Sequence, residues 1–232
     1  EDDLNIKQFK KDNGKPLFVS VQGNIGSGKS TLVENMKQYY RDDPRICFLQ
    51  EPVDLWNKVT DENGTTILEN YYGDQKRWAF SFQIMAYISR LALVRKAMKK
   101  DSDIVISERC IYADNHVFAK MLYDEGKINE IDYKIYMMWF NEFTDEFPLD
   151  KVIYIRTKPE TSEQRVIKRS RQGEAIPLEY LAKCHDYHEN WLNTTQNVLT
   201  IDGEVDVYDR PDTVNTWINK IEHFCVQKAT QA

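Results

Sequence analysis

The sequence contains no run of 18 or more apolar residues, so no segment has the length and apolarity of a membrane-crossing helix. Cysteine is scarce. Cys47, Cys110, Cys184 and Cys225 stand far apart and form no CxxC pair, which argues against a disulfide scaffold and against a thiolate metal site. Free thiols in a reducing compartment are the expectation. An excess of positive charge is also missing: 31 Lys and Arg face 37 Asp and Glu, a net charge of −6. Proteins that grip a nucleic-acid backbone are usually basic, so a polymer substrate is disfavoured. An acidic chain still binds phosphate if its cations converge on one place. Repeats, low-complexity tracts and Pro/Gly/Ser linkers are lacking too, which implies one domain over residues 1–232. The first fifteen residues, EDDLNIKQFKKDNGK, have no apolar signal core. Residues 1–16 read as an N-terminal extension, free to be flexible. Because the chain starts with Glu1, its start is expected to be processed or trimmed. The expectation is a soluble protein of the cytoplasm or nucleus, or of the mitochondrion if a presequence has been removed.

What is present describes an α/β protein. Hydrophobic residues make up 41% and charged residues 29%, enough apolar surface for a folded core. Five short β-branched runs alternate with longer helical patterns: LFVSVQ (17–22), ICFLQ (46–50), DIVIS (103–107), KVIYIR (151–156) and VLTID (198–202). Continuous apolar strands separated by helices indicate a parallel sheet covered on both faces. The longest helix is expected over 75–100, where Phe80, Ile84, Ile88 and Leu91 predict one buried stripe. Further helices fit 112–124 and 129–147. Asp202-Gly203 marks a turn, and Pro211 lies near the start of a last helix running to about Phe224. Residues 60–66 read as a loop.

The first strand runs into Gly23-Asn24-Ile25-Gly26-Ser27-Gly28-Lys29-Ser30, a full GxxxxGK[ST] match followed at once by the helical TLVENMKQYY. Glycines let such a loop curl so that its N–H groups face phosphate oxygens, and the helix N-terminus adds partial positive charge. Lys29 is expected on the outer phosphates and Ser30 on Mg²⁺, with Thr31 completing the motif. The motif specifies nucleotide phosphate and leaves the reaction open. A carboxylate, Glu51, ends the second strand in Gln50-Glu51-Pro52-Val53. Ligands of open α/β sheets bind beyond the carboxyl strand ends, which places Glu51 near the γ-phosphate.

Taken in order, GNIGSGKST (23–31), EPVDLW (51–56), RWAFSFQ (77–83), SERCIYAD (107–114) and IPLEYLAKCHDYHENWL (176–192) resemble the deoxynucleoside kinase family over nearly the whole chain. That group includes deoxycytidine, deoxyguanosine and mitochondrial-type thymidine kinases. The resemblance implies ATP and Mg²⁺ as cofactors and a small deoxynucleoside as substrate. Glu51 is implied as general base toward the 5′-hydroxyl, and Arg109 as a stabiliser of charge in the same region. Glu108 assists at the Mg²⁺ site. Gln83 hydrogen-bonds the base edge, Trp56, Phe82 and Phe118 flank the base, and Val53 is implied among the substrate-binding residues. Tyr72 and Glu174 hold the 3′-hydroxyl, although Gly173 and Glu174 exchange places in an alternative alignment. Arg165, Arg169 and Arg171 fall in a lid over residues 165–175. The resemblance also implies the strand order 2-3-1-4-5, feedback inhibition by the end-product triphosphate, and a homodimer through helices within 75–100 or 112–147. Residue type alone leaves Trp56, Phe82 and Phe118 open as core, and the arginine run open as a solvated helix face. The apolar run Met137-Met138-Trp139-Phe140 fits an interface or a core helix equally.

Gln83 and Arg90 are seven apart and share a helix face. The resemblance sets Asp114 opposite them, a combination that goes with deoxycytidine or purine deoxynucleosides. A buried carboxylate accepts from the amino group of cytosine or adenine and repels the O4 of thymine. Arg90 supplies a donor for guanine O6 and fills the space of the thymine methyl. The competing reading is a structural Arg90–Asp114 ion pair. Two other functions compete with the kinase: a non-catalytic structural member of the fold, and another P-loop transferase such as a nucleoside monophosphate kinase.

Overall fold

The five runs form strands β1 (Leu17–Gln22), β2 (Ile46–Leu49), β3 (Ile104–Glu108), β4 (Lys151–Arg156) and β5 (Val198–Asp202). The structure, a computed structural model, describes residue 6 and residues 14–170, 176–208, 210 and 212–227. All strand pairs are parallel, in the order β2-β3-β1-β4-β5. This is the expected 2-3-1-4-5 order. The central strands β1, β3 and β4 are buried almost throughout, as strands covered on both faces must be.

Side chains of β1 alternate between two layers. Val19 and Val21 face α1 (Lys29–Tyr39) and α10 (Asp212–Val226), packing with Leu32, Val33, Met36, Trp217 and Ile221. Ile6 is buried in this same cluster, so the N-terminal extension is anchored at that residue. Phe18 faces the opposite way. It packs with Tyr87, Leu91 and Val94 of α4 (Gln75–Met98) and with Tyr136 and Phe140 of α7 (Glu130–Thr144). Each such apolar side chain contributes roughly 1.5–3 kcal/mol on full burial.

Between β2 and α4 lie α2 (Val53–Trp56) and α3 (Ile67–Gly73). A capping box starts α3: Glu69 N donates to Thr66 Oγ1 at 3.2 Å, and Thr66 N donates to Glu69 Oε2 at 2.8 Å. The expected stripe on α4 is only partly realised. Leu91 is buried and Phe80 and Ile84 are half-buried, but Ile88 is exposed, whereas Gln83, Ser89 and Arg90 are buried. The helix lies between the sheet layer and a cavity. Polar groups that serve the cavity therefore turn inward, and a single apolar stripe no longer describes its buried surface.

The helix expected over 112–124 consists of α5 (Ile111–Ala113), a π-helical segment (Asp114–Ala119) and α6 (Lys120–Asp124). Such wide turns occur frequently at functional sites. The Met137–Phe140 run is divided on α7: Phe140 is buried, while Met138 is 71% exposed. Ile131, Ile135, Met138 and Trp139 make an exposed apolar stripe along that helix. The carboxyl ends of the strands then lead into α8 (Pro159–Arg169) after β4 and, after β5, the turn preceding α10; α9 (Leu178–Leu192) packs against α8 and the π segment.

Candidate active site

A cavity of about 790 Å³ opens at the carboxyl edge of the sheet. It is built from the loops after β1, β2, β3 and β5, with α3, α4, α8, α9 and α10 as walls. This is where an open α/β sheet offers side chains from several strands to one ligand.

The loop after β1 curls tightly. Ser27 N donates to Asn24 O at 3.2 Å, and Lys29 Nζ donates to the same oxygen at 2.6 Å. Gly26, at φ +79°, lies so close to α8 that a Cβ would sit 2.6 Å from Ser162 O. Ile25, Gly26, Ser27, Gly28, Lys29, Ser30 and Thr31 line the cavity. Gly23 and Asn24, the first two residues of the motif, do not line the cavity. A Cβ on Gly23 would meet Ser27 Oγ at 2.5 Å, and Asn24 Nδ2 donates to Leu181 O at 2.8 Å, anchoring the loop to α9. Lys29 is buried, and its ammonium is pulled down to about 7, chiefly by that burial and then by Arg109.

Glu51 follows β2. Its Oε1 accepts from Arg90 Nη2 at 2.5 Å and from Arg109 Nη1 at 2.9 Å. Burial alone would raise this carboxyl, but Arg109, Arg90 and Lys29 outweigh it and hold Glu51 well below the usual carboxylate range. Arg109 has φ 58°, a left-handed backbone that costs a non-glycine residue about 1–3 kcal/mol. Its N–H donates to Val21 O at 2.9 Å, which fixes the turn beside the phosphate loop. Its guanidinium lies 5.0 Å above the Phe118 ring. Phe118 lies perpendicular to the buried imidazole of His188, whose Nδ1–H donates to Cys184 O at 2.6 Å.

Arg90 bridges three groups. Besides Glu51 it donates from Nε to Asp114 Oδ1 at 3.1 Å and from Nη1 to Glu108 O at 3.2 Å. Burial pushes Asp114 up, with Arg90 opposing and Glu51 reinforcing the effect. Asp114 Oδ2 and Gln83 Oε1 are buried acceptors with no hydrogen-bond donor among the described residues. Arg90 Nε lies 3.0 Å from that Oδ2, but its N–H is directed to Oδ1.

Around these polar groups stand aromatic walls. Trp56 meets Phe82 edge-on at 5.6 Å, and Tyr71 stacks on Phe82 at 4.5 Å. The hydroxyls of Tyr71 and Tyr180 are 2.8 Å apart. Val53, Leu68, Tyr72 and Phe118 complete this end, which suits a flat ring with a few hydrogen-bonding groups. The other end is lined by Arg165, Lys168 and Arg169 of α8, by Val205–Tyr208, and by Val214 and Trp217 of α10. Arg171 and Glu174 fall outside the described residues.

Ser30 Oγ donates to Glu108 Oε1 at 2.5 Å beside the loop. This hydroxyl and carboxylate are hard oxygen ligands. Among the described residues no group of three His, Cys, Asp or Glu side chains is placed to hold a metal. A cation here would take its other ligands from phosphate and water, the pattern of Mg²⁺, so the residues fit that ion.

Sequence reasoning missed Tyr71, Tyr180, Lys168, the 205–208 loop and Trp217. The GxxxxGK[ST] loop announces itself by motif. Tyr71 is one more aromatic beside Tyr72, and Trp217 reads as core, so neither carries a local signal.

The deoxynucleoside kinase family model matches residues 19–226. Deoxycytidine kinase of Bos taurus is 34% identical over 236 aligned residues, covering 89% of this chain and 90% of that relative. A probable deoxycytidine kinase of fowlpox virus is 32% identical, covering 89% and 87% of the two chains. The mitochondrial deoxyguanosine kinase of Xenopus laevis is 32% identical, covering 75% of this chain and 72% of the relative. Joined to a phosphate loop that faces a carboxylate, two arginines and an aromatic slot in one cavity, these matches carry a single conclusion: the chain belongs to the deoxynucleoside kinase family.

Proposed function

We propose that this enzyme transfers the γ-phosphate of ATP, with Mg²⁺, to the 5′-hydroxyl of a deoxyribonucleoside in nucleotide salvage, and that it favours deoxycytidine, deoxyadenosine or deoxyguanosine over thymidine. The observation that supports it best is the convergence of Lys29, Glu51 and Arg109 between the phosphate loop and the aromatic slot.

The loop N–H groups and Lys29 hold the donor phosphates, and Arg109 faces the negative charge spread during transfer. Mg²⁺, held through Ser30 and Glu108, supplies neutralisation of the phosphate oxygens. Glu51 accepts the hydroxyl proton. Held this far below the usual range, it is a weak base toward a free alcohol. In a loose phosphoryl-transfer transition state the nucleophile is little bonded, so Glu51 acts first by orienting the hydroxyl and takes the proton late. A carboxylate at the acceptor position also disfavours a monophosphate substrate, whose dianion it would repel.

At the base end, Gln83 Oε1 and Asp114 Oδ2 are two acceptors. An exocyclic amine satisfies them, whereas the O4 of thymine leaves them unpaired. Guanine is accommodated by turning the Gln83 amide and by the Arg90 guanidinium. The apolar stripe on α7 supports a homodimer, since a self-complementary patch is buried by a second copy.

Four outcomes follow from this reading. Thymidine is the poorest of the four deoxynucleosides by kcat/KM, and Arg90→Met with Asp114→Ala raises its share relative to deoxycytidine; thymidine as the best wild-type substrate refutes the selectivity. Glu51→Gln lowers kcat by about 10²- to 10⁴-fold while ATP binding persists, and full activity would remove Glu51 from the chemistry. Lys29 in the free protein loses its proton above a pH of about 7, and the bound triphosphate restores it. ATP affinity therefore falls as pH rises through that value, and calorimetry in buffers of different ionisation enthalpy detects proton uptake at pH 8; no uptake refutes this. Met138→Glu, on the α7 stripe, converts the dimer to monomer in sedimentation; an unchanged mass means that the stripe is not the interface.

A further inference from the structure

Arg165 belongs to the segment that the resemblance implies as a lid over the phosphates and adenine, and its guanidinium donates to backbone carbonyls. From α8, Nη1 donates to Gly203 O at 2.8 Å and to Ser27 O at 3.4 Å. Nη2 reaches Glu204 O at 3.5 Å and Val205 O at 3.4 Å. One guanidinium thus joins the phosphate loop to the turn after β5. That turn is bound to α8 a second time. The Glu204 carboxylate accepts from Lys158 N at 2.6 Å and from Thr161 Oγ1 at 2.8 Å, at the amino end of the helix. Gly203 N donates to Arg156 O at 2.8 Å, and a Cβ on Gly203 would overlap Thr157 Oγ1, so the turn sits hard against the end of β4. Immediately after it, Val205, Asp206, Val207 and Tyr208 line the end of the cavity remote from Gln83 and Asp114.

We propose that Arg165 is a positioning residue: by tying Ser27 to Gly203–Val205 it sets the spacing between the donor's phosphates and the 205–208 loop, and that this loop, remote from Gln83 and Asp114, takes the donor's base. This rests on the kinase reading above. A planar fork with several fixed N–H groups spans two loops at once, which a lysine's single ammonium does not. The acceptors are backbone carbonyls of two loops, so these bonds hold loop positions. Its loss loosens the base end of the donor site, while the acceptor pocket, walled by α3 and α4, keeps its shape.

The test is steady-state kinetics with ATP, GTP and UTP as donors, together with thermal unfolding of the nucleotide-free protein. Arg165→Met lowers kcat/KM for ATP by about tenfold, mainly through KM, and changes the ATP-to-UTP ratio by about fivefold or more. Its Tm falls by about 2–4 °C, and the deoxynucleoside KM stays as in wild type. Arg165→Lys does not restore the donor ratio. Glu204→Ala, which removes the second tie at an exposed position, moves the ratio in the same direction and answers the question even if Arg165→Met does not fold. The proposal is overturned if Arg165→Met lowers kcat equally for every donor with KM and Tm unchanged, the result for a phosphate contact. An unaltered ratio in Glu204→Ala overturns it as well. Failure of the kinase reading shows differently, as wild-type protein that forms no ADP in response to any deoxynucleoside.

Discussion

A buried carboxylate held between two guanidinium groups organises this molecule's working end. Taking an isolated carboxylate out of water costs several kcal/mol, and Arg90 and Arg109, which both reach Oε1 of Glu51, offset that cost. The cations depend on it in turn. Arg109 and Lys29 repel each other across the loop, and that repulsion adds to burial in lowering Lys29. The unliganded site therefore sets Lys29, Arg90 and Arg109 against the carboxylates Glu51, Glu108 and Asp114, while Arg165, Lys168 and Arg169 add positive charge at the other end of the cavity. A triphosphate completes the balance. The guanidinium groups of Arg90 and Arg109 are held in place before the ligand arrives, which is what electrostatic preorganisation requires, and keeping them together costs stability in the free protein.

The sheet makes this arrangement possible. Parallel register pairs Val21 with Glu108, so Arg109, the first residue past β3, falls beside Gln22, the last residue of β1 before the phosphate loop. Arg109 must turn back there, and its left-handed backbone is the local cost of that turn. Its neighbours hold it in place. Val21 O fixes the N–H, Phe118 supports the guanidinium, and His188 supports Phe118. His188 is drawn down to about 3 by burial and by Arg109, so it stays neutral and adds no further cation beneath the site.

How far the sequence can be read depends on whether a feature is local. Strand runs, the phosphate loop and the carboxylate after β2 each declare themselves within a few residues, and the register of a parallel sheet then brings them together. Features set by two layers at once are not legible in this way. Ile88 fits an apolar helical period yet faces outward, because the opposite side of α4 is taken by Gln83 and Arg90. The box Thr66-x-x-Glu69 carries a local signal for α3, masked by the polar loop before it. Tyr71 and Tyr180 lie 109 positions apart, and their shared hydrogen bond is a product of the fold. Asn24 matches the phosphate motif, but its side chain serves α9; a motif fixes backbone shape without saying which side chains meet the ligand.

The shared use of α4 also constrains how substrate preference can change. Removing Arg90 alone leaves Asp114 buried without its cation and deprives Glu51 of one of its two partners; breaking a buried pair from one side costs about 3–5 kcal/mol. Removing Asp114 alone leaves Arg90 paired only to Glu51, biasing the guanidinium toward the chemical centre. Replacing both with uncharged side chains deletes the buried pair as a unit and leaves Glu51 to Arg109, which still reaches it from the end of β3. The two residues are thus coupled energetically, so their effects on stability and on base choice should be non-additive. On the proposed base preference, a path toward thymine runs through both positions together, and the phosphate loop, on the other side of Glu51, need not change.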